Sequence, residues 1–400
     1  MKEKIFPLLV MILGAASLFF SNIFARSTFT EADFIIWSYT ITITSIFFSF
    51  SALGTEQLLI RFGSFDTGMN LFRVSNSTFV VFLAGSIFFL FIYYFFLNGV
   101  ILNIELDFLD VFLLSLLVSI IQFFYQARRG CNEFLVGQVY YNLWRVIVFL
   151  FVISYSFFEL NVVDLILSSL FLNLLVCIFI KQSSVKISRD KLSYRKNITL
   201  AFSMLSALFI MTILNTYDKI LVDNFSSSFD VSFSFADYFY FVSIFVTPFT
   251  ILSSYFGYTE SKVFKAGFNK SYFINRSLLI FIFSLLACLI WAFVLDNLKD
   301  FIGLPTVSFQ TFFIVILIAS IRCTYGIASS AMGICGTNKQ INLSTFIFFV
   351  SFGLVVLFIS LKKNMSINIV LFSFLFLWLV RYSSYTIILL RGGHVKERDD

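Results

Sequence analysis

Proline and histidine are nearly absent from this 400-residue chain, at 3 and 1 copies, and charged residues make up only 12%. The single histidine, His394, lies close to the C-terminal end, so imidazole catalysis is excluded from the apolar body of the chain and zinc chemistry is a poor fit. Five cysteines (Cys131, Cys177, Cys288, Cys323 and Cys335) form an odd set with no CxxC spacing, which implies neither a disulfide framework nor a metal site. No GxxxxGK[ST] loop is present, so nucleotide hydrolysis through that motif is excluded. What fills the chain instead is apolar: 59% of residues are hydrophobic, against roughly 45–50% in soluble domains. These proportions are those of an integral membrane protein. The 59 phenylalanines are explained most simply by codon choice in an A/T-rich genome and carry no further argument.

The apolar runs come in pieces of about 18–25 residues, long enough to cross a roughly 30 Å hydrocarbon core as helix and too long for barrel strands. The first follows Met1-Lys2-Glu3-Lys4 and runs to Ala25. It is too long for a signal peptide, with Ile23 where a small residue would precede cleavage, and reads as the first membrane helix. Twelve helices are expected, at roughly 5–25, 34–58, 74–97, 109–127, 138–157 and 164–180, then 198–216, 236–257, 274–295, 309–332, 342–361 and 367–390. Between the sixth and seventh lies Lys181–Asn197, with Lys181, Lys186, Arg189, Lys191, Arg195 and Lys196 against the single acid Asp190. The expected fold is therefore an all-α membrane protein of about 12 transmembrane helices in two six-helix lobes: 1–180, a basic cytoplasmic linker 181–197, 198–390, and a cytoplasmic tail 391–400.

With both termini inside, inner segments hold 20 of the 28 Lys and Arg and outer segments five, the bias expected of cytoplasmic loops. That bias also accounts for the net charge of +6, so no nucleic-acid partner is needed. An internal repeat is indicated by Ala32-Asp33-Phe34 and Ala236-Asp237-Tyr238, and by Thr55-Glu56 and Thr259-Glu260, each pair 204 residues apart. Gly130-Cys131-Asn132-Glu133 and Gly336-Thr337-Asn338-Lys339 are 206 apart. Six crossings return the chain to its starting side, so the halves should be related by an axis along the membrane normal. The outer loops are short; the longest, from about Tyr217 to Phe235, carries Asp218, Lys219, Asp223 and Asp230 and has no room for a catalytic domain.

The remaining three basic residues, Arg145, Arg322 and Arg381, fall inside helices, roughly 10, 15 and 14 Å from the inner ends at 1.5 Å per residue. An intramembrane charge costs at least about 2.5–3.5 kcal/mol at a helix centre and is a functional hypothesis by default. Helical spacing gives Arg145 the neighbours Gln138, Tyr141 and Asn142, gives Arg322 the neighbours Tyr325 and Ser329, and gives Arg381 the neighbours Trp378, Ser384 and Tyr385. Such stripes should face a cavity, with Glu56 as the acid able to pair with them, leaving a net positive lining. Guanidinium forks suit phosphate oxygens, and Tyr and Trp faces suit sugar rings. Snorkelling to the surface or structural pairing is the alternative for each arginine. Asp218, in Asn215-Thr216-Tyr217-Asp218-Lys219, is a candidate proton-coupling carboxylate or else an interfacial acid paired with Lys219. Glu56 and Glu260 occupy matching repeat positions suited to gates or interface salt bridges, and Pro248 should kink its helix.

Ala25-Arg26 with Phe34, Ser51-Ala52-Leu53-Gly54-Thr55-Glu56-Gln57 with Arg61, and Gln126-Ala127-Arg128-Arg129-Gly130 resemble the O-antigen and capsule flippases of the Wzx type. These belong to the multidrug, oligosaccharidyl-lipid and polysaccharide exporter superfamily. Asp218-Lys219 looks like that family's helix-seven acid–base pair, and Asn142-Leu143-Trp144-Arg145 like its fifth-helix pattern. Thr30 and Glu31 stand where the family carries a glycine-containing turn. The resemblance implies a non-enzymatic flippase of the bacterial cytoplasmic membrane with a fold like the multidrug exporters. It would move an undecaprenyl-diphosphate-linked oligosaccharide by alternating access, without a bound cofactor and driven by a proton or sodium gradient. The partners it implies are that lipid-linked oligosaccharide, membrane lipids, and the polysaccharide polymerase and chain-length machinery. Rival readings are a multidrug cation exporter, which should line its cavity with acids, a polysaccharide polymerase, which needs a large outer loop, and a ligand-binding or scaffold protein.

Overall fold

The computed structural model describes residues 2–392 apart from 52, 54, 56–58, 60–62, 67–68, 70, 101, 103, 132, 156–160, 181–183, 189–193, 226–233 and 363–364. Twelve α-helices stand among the described residues: α1 Lys2–Thr28, α2 Glu31–Phe50, α3 Asn76–Ile92, α4 Phe108–Gly130, α5 Phe134–Ile153 and α6 Val162–Ile178, followed by α7 Tyr194–Phe225, α8 Phe235–Ala266, α9 Lys270–Ile302, α10 Phe309–Cys335, α11 Asn338–Ser360 and α12 Ile367–Arg391. Ten of them are long and apolar enough to cross a membrane, and α6 is a shorter apolar helix of 17 residues. The chain is a multi-pass helical membrane protein.

Local chemistry explains where the helices start. Thr30, Ser75, Asn161, Ser234, Asn269, Ser308, Thr337 and Ser366 each accept a backbone N–H of the following helix on a side-chain oxygen. Thr30 caps α2 just after α1 ends, so a capped corner stands where a glycine turn was expected. α2 is the most polar of the buried helices, and its hydroxyls are satisfied internally: Ser38, Thr42 and Thr44 donate to the carbonyls of Phe34, Ser38 and Thr40 at 2.7–2.8 Å. It ends at Phe50, well short of the expected 58, where Leu53 takes a left-handed conformation (φ 48°) and its N–H returns to the Phe50 carbonyl.

Two compact units divide the chain, Met1–Thr216 and Tyr217–Asp400. In the first, α2 packs on α4 and α6, α3 on α4, α4 on α5 and α6, α5 on α6, and α1 on α5. In the second, α8 packs on α10, α9 on α10, α10 on α12 and α11 on α12. Shifting each helix number by six maps α2–α4, α3–α4, α4–α6 and α5–α6 onto these four pairs. Asp33 and Asp237, 204 residues apart in the sequence repeat, also occupy the same third position of the capped helices α2 and α8. Four pairings are thus common to the two units, while α1–α5, α2–α6 and α4–α5 have no counterpart among those of the second.

The helical expectation omitted a small sheet. β1 (Ser64–Asp66) pairs antiparallel with β2 (Leu71–Ser75), and β2 pairs parallel with β3 (Ser184–Ser188), a stretch of the basic linker. One face carries Phe65, Phe72, Val74 and Val185 onto Leu59, Phe82, Ala127 and Cys131. Arg73 and Lys186 lie opposite each other on the other face, where Asp66 pairs with Arg73 at 3.2 Å. Phe72 is fully buried, and a Cβ at Gly63 or Gly130 would collide with its ring. The linker is therefore strapped to the first unit through Phe72 and Val185. Phe72→Ala should cost about 3–5 kcal/mol at that strap. The expected outcome is faster tryptic cleavage within 181–197 of the folded protein; an unchanged cleavage rate would show that the strap does not hold the linker.

Candidate functional site

In the second unit, α10 and α12 build an aromatic trio. The Tyr325 ring stacks with that of Tyr385 (centroids 5.8 Å, 20° between planes) and meets Trp378 edge-on at 5.4 Å. All three are buried because 325 lies on one helix and 378 and 385, two turns apart, lie on one face of the other. Two arginines attach to this trio. The Arg322 guanidinium carbon lies 5.3 Å from the Trp378 ring centre, and that of Arg381 lies 4.0 Å from the Tyr385 ring centre.

Arg381 is 1% exposed. It donates to Ser344 Oγ at 3.1 Å and to the Tyr385 hydroxyl, and Ser344 is in turn hydrogen-bonded to Ser384 at 2.7 Å. Both of these partners are neutral hydroxyls, and no carboxylate forms a salt bridge with Arg381 among the described residues. Its Nε and the Trp378 Nε1 are buried donors with no hydrogen-bond partner. A charged group in low permittivity with spare donors and no counter-ion is what an anion or an oxygen-rich ligand would complete.

Asp218 differs most from expectation. The polar dipeptide Asp218-Lys219 predicts the start of an outer loop, yet α7 continues to Phe225 and Asp218 is 1% exposed within it. The helix tolerates the acid because Tyr238 of α8 donates to Oδ2 at 2.8 Å and Lys219 Nζ lies 3.8 Å from Oδ1. Counting depth along separate helices could not reveal this, because the Tyr238 hydrogen bond joins α7 to α8. Glu56 lies outside the described residues. Glu260 ties α8 to α9, accepting from the Tyr272 hydroxyl at 2.7 Å and from Arg276 Nε at 2.8 Å, so both of its oxygens are engaged.

The helices of this unit approach closely where small residues meet. Ser253 Oγ donates to the Arg322 carbonyl at 2.8 Å, and Gly257 and Gly326 let α8 and α10 come together beside it. α8 runs through Pro248 without ending.

In the first unit the stripe on α5 forms a chain of hydrogen bonds. Arg145 donates to Asn142 Oδ1 at 3.1 Å, and Asn142 donates to Gln138 Oε1 at 2.8 Å. The Arg145 guanidinium lies 5.6 Å from the rings of both Tyr141 and Trp144, and its Nε is a buried donor without a hydrogen bond. Asn142 is pressed against α1 at Gly14, where a Cβ would come within 2.6 Å of the Asn142 Cβ. The structure thus joins Arg322, Arg381, Tyr325 and Tyr385 within the second unit, sets Asp218 against Tyr238 and Lys219, and joins Arg145, Tyr141 and Asn142 within the first. Two members escaped the sequence reading: Ser344, 37 residues from its partner Arg381, and Tyr238, which carried a signal only as part of the repeat. Among the described residues no group of three or more metal-ligating side chains comes together.

Fold and site together define a class: a multi-pass helical membrane protein with guanidinium groups packed against aromatic rings. No protein-family model, curated protein or solved structure matches the chain.

Proposed function

We propose that the protein is a flippase that carries an undecaprenyl-diphosphate-linked oligosaccharide from the inner to the outer leaflet of the bacterial cytoplasmic membrane. The observation that carries this reading is Arg381: buried, held by neutral hydroxyls, with spare donors aimed from its own Nε and from Trp378. A diphosphate supplies the missing charge and oxygens, and the trio Tyr325, Trp378 and Tyr385 offers faces for sugar rings. The lipid tail would remain in the bilayer. Alternating access of the two units, coupled to a proton or sodium gradient, would move the head group, with both termini and the basic linker on the cytoplasmic side. A cation exporter fits less well, since the charged groups beside the trio are two arginines, Arg381 buried and Arg322 half-buried. Deleting the gene in its host should make lipid-linked repeat units accumulate in the inner leaflet; unchanged leaflet distribution and unchanged surface glycan would overturn the reading.

A further inference from the structure

The anion site of the second unit leaves two arginines of the first unit without a task. Both sit in the same local pattern, with a tyrosine four residues and an amide three residues before the arginine: Tyr125-Gln126-Ala127-Arg128-Arg129 at the end of α4, and Tyr141-Asn142-Leu143-Trp144-Arg145 on α5. The two patterns fold alike. Arg129 donates to Gln126 Oε1 at 3.0 Å, with its guanidinium carbon 5.3 Å from the Tyr125 ring centre. Arg145 donates to Asn142 Oδ1 at 3.1 Å, with its guanidinium carbon 5.6 Å from the Tyr141 ring centre. Where α4 and α5 pack, the rings of Tyr125 and Tyr141 meet with centroids 4.7 Å apart, so one seam carries a guanidinium from each helix. The hydrogen-bond partners of both are neutral amides, and among the described residues neither forms a salt bridge; Glu133, at the corner between the helices, pairs with Arg128 at 3.0 Å. Two like charges on one seam of a membrane helix pair are costly without an anion to share.

We propose that this seam binds the phosphate of an anionic phospholipid from the surrounding leaflet and that the lipid ties α4 to α5. Arg129 is in the last turn of α4, Arg145 lies about three turns into α5, and each reaches back one turn to its tyrosine. Because the two consecutive helices run in opposite directions, both guanidinium groups converge on the tyrosine pair, about 8–10 Å from the helix ends. That is the level where headgroups give way to hydrocarbon and where Tyr and Trp rings collect. Tyr125, Arg129, Gln138, Tyr141 and Arg145 are all half-buried, which leaves surface for a phosphate at the guanidinium forks. Beyond Arg145 the same face of α5 turns apolar, through Phe149 to the exposed Ile153, and Phe149 meets the exposed Phe20 and Phe24 of α1 at 6.3 and 5.8 Å between ring centres. A phosphate held by the arginine pair thus has its acyl chains over an apolar surface that runs on into the membrane, which a free phosphate would not use. Basic clusters between helices at this depth suit anionic headgroups. The site stands apart from the flippase reading, which rests on Arg381.

The test uses the purified full-length protein in nonionic-detergent micelles doped with phosphatidylglycerol or, at the same mole fraction, with phosphatidylcholine. Native mass spectrometry should show phosphatidylglycerol retained in preference to phosphatidylcholine, and only phosphatidylglycerol should raise the melting temperature, by about 2–4 °C. Arg129→Gln and Arg145→Gln should each weaken retention roughly tenfold and remove the thermal rise. Arg145→Lys, which keeps a charge but not the fork, should retain part of both. Arg391→Gln, which removes a basic residue from the last turn of α12, should change neither. Should Arg145→Gln fail to fold, Arg129→Gln at the half-buried end of α4 carries the same prediction. Equal retention of the two lipids by the wild type, or phosphatidylglycerol held unchanged by the Gln variants, would overturn the site. Glycerol 3-phosphate, a headgroup phosphate without acyl chains, should not displace the lipid at equal concentration; displacement would rule out the lipid as occupant.

Discussion

Arg381→Met should raise the melting temperature of the purified protein while abolishing its hold on a prenyl diphosphate. The two effects have opposite signs because Arg381 is costly to the fold and useful to the ligand. Its guanidinium is buried and hydrogen-bonded to the hydroxyls of Ser344 and Tyr385, and a methionine of similar length would fill the same space without the charge. Replacing buried ionic groups by apolar ones of like volume stabilises by about 1–4 kcal/mol where they are not needed for packing. Truncating one side of a buried charge pair with a ligand costs about 2–5 kcal/mol, a loss of thirtyfold or more in affinity. Thermal unfolding in detergent and equilibrium binding read the two quantities separately. A melting temperature that falls would make Arg381 a structural tie between α11 and α12.

Gly326→Val should remove the folded second unit altogether. Any Cβ at 326 would fall well inside the contact distance of the Ser253 carbonyl oxygen and within 2.9 Å of its hydroxyl, and the obstacle is backbone, which cannot swing aside. Overpacking of this kind costs about 1–3 kcal/mol and more where neighbours cannot yield. It also breaks the Ser253 hydrogen bond to the Arg322 carbonyl, so the arginine loses its seat. Gly333→Val on the same helix is the control, because a Cβ there meets nothing within 4 Å. Size-exclusion profiles should show loss of the monodisperse species for the first and none for the second. Equal behaviour of the two would mean that α8 and α10 can separate at that crossing.

Most of the helices were legible because crossing a bilayer demands long apolar runs, and such runs stand out in any window. The second helix was not bounded correctly: it was extended through Ser51 to Gln57 although that stretch holds only Ala52 and Leu53 as apolar side chains, and the left-handed turn at Leu53 lies just past its observed end. The sheet was hidden for a different reason. Leu71–Ser75 and Ser184–Ser188 alternate apolar and polar side chains, but each is only five residues, they pair in parallel across more than 100 residues, and no hairpin turn announces them. A stretch read as a polar connector is in fact pinned through Val185 to the core under Phe72. The site was legible in its expensive parts. Arginines within apolar helices could be found one by one, with their own helical neighbours. Partners from other helices, Ser344 for Arg381 and Tyr238 for Asp218, required the packing itself.

Reconstitution tests the central claim most directly. Purified protein in lipid vesicles is given a fluorescent prenyl-diphosphate-linked oligosaccharide in both leaflets, and an external quencher is used to follow its transfer between them. The account predicts rapid exchange with the wild type and none above protein-free vesicles with Arg381→Met, although that variant is the more stable protein. Equal exchange by wild type and Arg381→Met, or none by the wild type, would contradict it.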